Sequence, residues 1–146
     1  MHHTFLLEEG VWRASGTYTD EAGATHPIRG RAAISHAPRV WRNEGEMEVM
    51  GDEPVVVDHL YEIVPMPHGA SATIWTASSA RLGRLRGNVA VVGDTLLSSF
   101  TSDEGEFSGT ESLTRLGDNA YAARGVLYRG FERLSSWSMQ MTRVLN

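Results

Sequence analysis

The chain predicts an all-β protein: one domain, residues 1 to 146, folded as a closed antiparallel up-and-down β-barrel of about ten strands. Three observations carry this. From Gly10 to Leu145, about ten short runs show partial in/out alternation, and no stretch between them holds a helical period. The runs are parted by turn pairs at Gly23-Ala24, Gly51-Asp52, Gly93-Asp94, Glu104-Gly105 and Gly117-Asp118. The inward positions are rich in Gly and Ala, which suits a barrel with bends and a cavity better than a tightly filled sandwich. A meander of this length left open would expose its edge strands, and closure removes them.

Residues 1 to 9 are a short lead-in, in which His2-His3 is given no weight. The first strand, about 10 to 20, sets Trp12, Ala14, Gly16 and Tyr18 on an inward face against Arg13, Ser15, Thr17 and Thr19. After a turn at Glu21 to Thr25, the second strand points Ile28, Ala32 and Ile34 in and Arg29 and Arg31 out. The third, about 39 to 50, alternates most cleanly, with Trp41, Asn43, Gly45, Met47 and Val49 against Arg42, Glu44, Glu46 and Glu48. Val55 to Val64 is apolar on both sides, which leaves its parity open, and it carries Asp58, His59, Tyr61 and Glu62. Pro65-Met66-Pro67-His68-Gly69 must be a loop.

Residues 70 to 78 place Thr73, Trp75 and Ala77 together, and 82 to 92 and 94 to 102 form a hairpin turning at Gly93-Asp94. At about 106 to 115, Phe107, Gly109, Glu111 and Leu113 share the face to be buried, so a glutamate lies among inward residues. Tyr121, Ala123, Gly125 and Leu127 share the next face. The last strand, about 132 to 145, presents Trp137, Met139, Met141 and Leu145, with Arg133 and Arg143 on the same parity and Ser136, Ser138, Gln140 and Thr142 opposite.

Composition narrows the function classes. The absence of cysteine excludes a disulfide framework, a thiolate metal site and a cysteine nucleophile. The net charge is −5 and all 13 basic residues are arginines, scattered rather than gathered on one face, so nucleic acid is not an expected partner. No apolar run is long enough for a signal peptide or a membrane span, which makes a cytoplasmic protein the expectation. His26, His36, His59 and His68 show no metal-ligand spacing, and neither a G-x-S-x-G element nor a phosphate-binding glycine motif occurs, so no metal or cofactor is expected.

Gly10-Val11-Trp12 matches the G-x-W that opens the lipocalin signature, and Arg143 stands where that superfamily places an arginine across the tryptophan. The chain thus resembles the calycins, the lipocalin-like and fatty-acid-binding-protein-like barrels, and in outline the short bacterial barrels of lipocalin-like type. The resemblance implies a lipocalin-like fold and a structural Trp12–Arg143 pair worth about 0.5–2 kcal/mol. It lacks the T-D-Y element, a C-terminal helix and a helical lid. Nitrobindin-type barrels bind haem through a histidine near the chain's end, whereas the last histidine here is His68.

The candidate site is the interior. Trp41, Trp75 and Trp137, with Tyr61 and Met139, would form an aromatic and thioether wall suited to a planar or lipidic ligand; singly, such residues also serve as plain core. Asn43 is a polar handle for a ligand or a partner for backbone at the rim. Glu111 in the interior needs compensation. An ion pair with Arg133 or Arg124 is the preferred reading, with ligand contact or acid/base catalysis as alternatives. The expected function is uptake of a small hydrophobic or aromatic molecule without catalysis. The alternatives are a barrel enzyme moving protons through Glu111 with His59 or Tyr61, and a packed barrel acting through its surface as a homodimer.

Overall fold

The computed structural model describes residues 2 to 145 and contains ten strands: β1 Gly10–Thr19, β2 Thr25–His36, β3 Trp41–Val49, β4 Val55–Ile63, β5 Ala72–Ser79, β6 Gly83–Val92, β7 Thr95–Ser102, β8 Phe107–Gly117, β9 Ala120–Arg129 and β10 Glu132–Arg143. Each pairs antiparallel with the next in sequence, and β10 returns to β1 to close the barrel. The closing register runs from Trp12 opposite Arg143 to Thr19 opposite Ser136. No helix long and apolar enough to cross a membrane occurs among the described residues.

Alternation sets the inward face as the sequence predicts. Trp12, Ala14, Ile28, Ala32, Ile34, Leu113, Tyr121, Ala123, Met139 and Met141 are all buried. The β6–β7 hairpin turns at Gly93-Asp94, with Gly93 at a positive φ of 59° as a tight two-residue connection requires. The parity of β4 is fixed by its neighbour: Asn43 opposes Tyr61 and Gly45 opposes His59, so both β4 rings point inward. Tyr61, Glu62 and Ile63 are the β4 residues that pair with β5. The preceding part of β4 rises past β5, leaving Val55, Val56 and Val57 between 48% and 59% exposed.

Two ends of the barrel differ. At the end where β2–β3, β4–β5, β6–β7 and β8–β9 connect, the lead-in segment folds back as a plug. His3 and Thr4 are buried with Phe5 and Leu6. Nε2 of His3 donates to the Gly93 carbonyl at 2.9 Å, so its Nδ1 is the acceptor, and the Tyr121 hydroxyl donates to it at 2.8 Å. The same hydroxyl accepts the Thr4 N–H at 3.1 Å, while the Thr4 hydroxyl donates to the Asp118 carbonyl at 2.6 Å. Phe5, Trp12 and Tyr121 meet with centroids 5.4 to 5.9 Å apart. The guanidinium of Arg143 lies 5.9 Å from the Trp12 ring centroid, as the calycin resemblance implies, and it also donates to Glu8 and to the Glu9 carbonyl. His2-His3, given no weight from sequence, therefore includes one of the most deeply buried side chains of the protein. At the opposite end only short turns connect the strands.

The last strand departs from the prediction. A bulge between Arg133 and Ser135 shifts the register, so Arg133 opposes the outward Tyr128 while Ser135 opposes the inward Leu127. Leu145 lies past the strand's end and is 68% exposed rather than inward.

Candidate functional site

Between the plug and the turn end runs the stretch of barrel interior, here called the lumen, that is walled by β3 to β10. Tyr61, Trp75, Phe100, Glu111 and Trp137 all point into it by register, yet each is only half-buried where the plug rings Trp12 and Tyr121 are sealed. The reason is the residue opposite each ring. Trp75 pairs with Gly87, Phe100 with Gly109 and Trp137 with Gly125. A Cβ built on any of these three glycines would collide with the ring facing it. Each ring therefore lies down across its glycine, against the wall, instead of standing into the barrel.

The two indoles use that posture to reach over a strand. Trp137 on β10 crosses Gly125 on β9, and its Nε1–H donates to Oε2 of Glu111 on β8 at 2.7 Å. Trp75 on β5 crosses Gly87 on β6, and its Nε1–H lies 3.2 Å from both the Ser98 hydroxyl on β7 and the Asn88 carbonyl. Tyr61 packs edge-on to Trp75 with centroids 4.9 Å apart, and Trp75 is followed by Phe100 at 6.0 Å. His59 stacks on Tyr61 at 5.5 Å and donates from Nε2 to Oδ1 of Asn43 at 3.0 Å.

Electrostatics single out Glu111. Burial raises its carboxyl above the ordinary range, and the indole N–H of Trp137 only partly opposes this. Burial together with the charge of Glu111 pushes Tyr61 up to about 12. Burial also holds the His59 imidazole below its usual value, with Glu46, Asp58 and Glu44 pulling weakly the other way. Neither Oε1 of Glu111 nor the Tyr61 hydroxyl is among the sealed polar atoms without a partner, and the bond to Trp137 is the side-chain bond acting on the carboxyl. By register both groups point into the barrel.

The preferred ion pair does not form. The bulge turns Arg133 outward, where it reaches Ser136, and Arg124 opposes Ser112 on the outer face and donates to the Ala123 and Met139 carbonyls. The Oδ1 of Asn43 accepts from His59 rather than from rim backbone. Of the sequence-derived candidates, the fold gathers Asn43, Tyr61, Trp75, Glu111 and Trp137 around the lumen. Trp41 is drawn toward the plug, stacked on His36 at 3.9 Å, whose Nε2 donates to the Leu6 carbonyl, and Met139 is buried in the core. Phe100 and Ser98 were missed; the alternation Leu96, Ser98, Phe100, Ser102 along β7 is the signal that would have found them.

No protein-family model matches the chain, and no curated protein matches it. Among solved structures, an S-type phycobiliprotein lyase from Guillardia theta superposes with a TM-score of 0.72 at 12% identity, covering 96% of this chain and 90% of that one. A redesigned β-barrel aligns at a TM-score of 0.44 and 16% identity, covering 99% and 98% of the two chains. An N-terminal dehydratase from the difficidin assembly line aligns at 0.29 and 10% identity, covering 95% and 78%. The first likeness is one of architecture: this chain has a calycin-like barrel.

Proposed function

We propose that the protein takes up a small hydrophobic or aromatic molecule inside the barrel, between the rings of Tyr61, Trp75, Phe100 and Trp137, and orients it through Glu111. The observation that carries this reading is the posture of the rings. Three aromatics on strands with glycine opposite them lie along the wall and stay half-buried, beside a carboxyl that accepts the Trp137 indole N–H. An interior that served stability alone would fill such space, because voids forfeit contacts and interiors pack densely. Stacking on each exposed ring contributes about 0.5–1.5 kcal/mol beyond the area it buries.

The test is native mass spectrometry of untagged protein from its own host under gentle and denaturing conditions. A small-molecule adduct that is lost on denaturation is the expected result. Protein that is recovered empty, and whose tryptophan fluorescence no bicyclic aromatic alters, overturns the reading.

A second reading, proton transfer on the bound molecule, is favoured by one observation: a carboxyl raised by burial faces the same lumen as Tyr61 and His59. Glu111 would be the acid and the neutral imidazole of His59 the base, since Tyr61 titrates far too high to act as one. Turnover of a recovered ligand that Glu111→Gln abolishes, with its binding retained, would establish this second reading over simple carriage.

A further inference from the structure

The charge of the ligand follows from the same lumen. Trp75, Phe100 and Trp137 each have one face covered by a glycine of the neighbouring strand, which turns the other face toward the interior. A ring face is the negative pole of the aromatic quadrupole and attracts cations. Glu111 adds a carboxyl whose protein contact is a neutral indole N–H.

Nothing among the described lumen residues balances that field. Arg124 and Arg133 lie outside the barrel wall. Arg143 is held at the plug by Glu8 and the Glu9 carbonyl. Arg115, inward by register four residues along β8 from Glu111, is paired with Asp118 at the plug end, and His59 donates to Asn43 and is kept neutral by burial. Among the described residues the lumen thus presents several π-faces and one acid with no unpaired cation. An anion would be repelled by both, and a neutral arene would leave Glu111 further desolvated without a partner.

Resting on the reading that the lumen holds a ligand, we propose that it selects a flat cation: a protonated nitrogen heteroaromatic or an arylammonium whose N–H donates to Glu111 while its ring stacks on the indole faces. Carboxylate and aromatic faces then act on the same positive charge, and the ligand supplies the counter-ion that the fold withholds.

The test uses three probes of one size at neutral pH, followed by tryptophan fluorescence: 4-aminoquinoline, which is cationic, 1-naphthylamine, which is neutral, and 1-naphthoate, which is anionic. The cation is expected to bind about tenfold more tightly than the neutral amine, with the anion weakest. Glu111→Gln is expected to cut the cation's advantage severalfold, leaving the share that the ring faces supply, and to weaken naphthylamine less than the cation, the charge-assisted bond being lost without loss of packing. Trp75→Leu, which removes a ring face and no charge, should weaken both aromatic amines and the cation more. Equal binding of all three probes, or a preference that Glu111→Gln leaves undiminished, overturns the cation inference and leaves the lumen reading standing. The absence of any fluorescence response from a protein with native near-ultraviolet dichroism overturns both. Should Glu111→Gln fail to fold, the ranking of the three probes on the native protein and on Trp75→Leu still decides the matter.

Discussion

Two aromatic clusters occupy opposite stretches of the same barrel, and they do opposite things. At the plug, Trp12 opposes Ala32 and Arg143, and Tyr121 opposes Arg115 and Met141. With side chains on both flanks the rings stand inward, meet Phe5 edge to face and are sealed from solvent. In the lumen, Trp75, Phe100 and Trp137 face glycine and recline, so that equally large rings line a space instead of filling it. The residue opposite an aromatic decides whether it becomes core or wall. Cross-strand pairs are the unit of sheet packing, and a glycine there removes the obstacle that keeps a ring upright.

The largest expected effect tests the stability side of that contrast. Trp12→Ala removes a fully buried ring, its contacts with Phe5 and Tyr121 and its pairing with Arg143, and should cost about 3–5 kcal/mol. Trp75→Ala removes a side chain of the same size that is only half-buried, and should cost about 1–2 kcal/mol. Denaturant titration of both variants reads the difference directly. Equal costs would mean that the lumen ring is as tightly packed as the plug ring, and the distinction between core and wall would fail.

A second substitution converts wall into core. In Gly125→Val the new Cβ occupies the place of the Trp137 indole, drives the ring off the wall and breaks its bond to Glu111. Strain of this kind should cost about 1–3 kcal/mol. The displaced ring fills the lumen, so affinity for an aromatic probe should fall by more than about tenfold, a loss of about 1.4 kcal/mol or more. Isothermal calorimetry beside a melting curve separates the two effects. Binding that persists in a destabilised variant would remove the lumen from the account of function.

Much of this was legible in the sequence because it depends on local pattern. Alternation and turn glycines gave the strands and the inward face, including Glu111, Asn43 and Trp137. What was not legible depends on residues far apart in the chain. His3 and Thr4 look like a polar leader, and it is Gly93, Asp118 and Tyr121, far along the chain, that make them a plug. The valines on both sides of β4 hide its parity, which its register with β3 settles. Arg133 has the parity of an inward residue and is turned out by a bulge that leaves no trace in the alternation. The reclining rings belong to the same class: Trp137 and Gly125 are unremarkable in their own strands and become a wall only when paired.

The smallest expected effect has the opposite sign, and it links the wall to its function. Burial raises the folded carboxyl of Glu111 above the ordinary carboxylate range, so the folded state favours its protonated form more than the unfolded chain does. Its favourable contribution is present below the ordinary carboxylate value and is lost as pH rises through the raised one, above which the empty barrel bears the cost of a buried charge. Glu111→Gln keeps an oxygen acceptor for the Trp137 N–H and carries no charge. The variant should therefore melt higher than wild type at about pH 8, with the gap narrowing on acidification and vanishing below the ordinary carboxylate range. His59 acts the other way, because its lowered value makes stability fall as pH drops through about 6.5, but it is common to both proteins and cancels in the difference. Saturating 4-aminoquinoline should reverse the order near neutrality, since only the charged carboxylate pairs with the cation. A carboxyl that weakens the empty barrel and strengthens the filled one is placed for its ligand, and an unchanged order with the probe bound would make Glu111 a buried acid held by Trp137 alone.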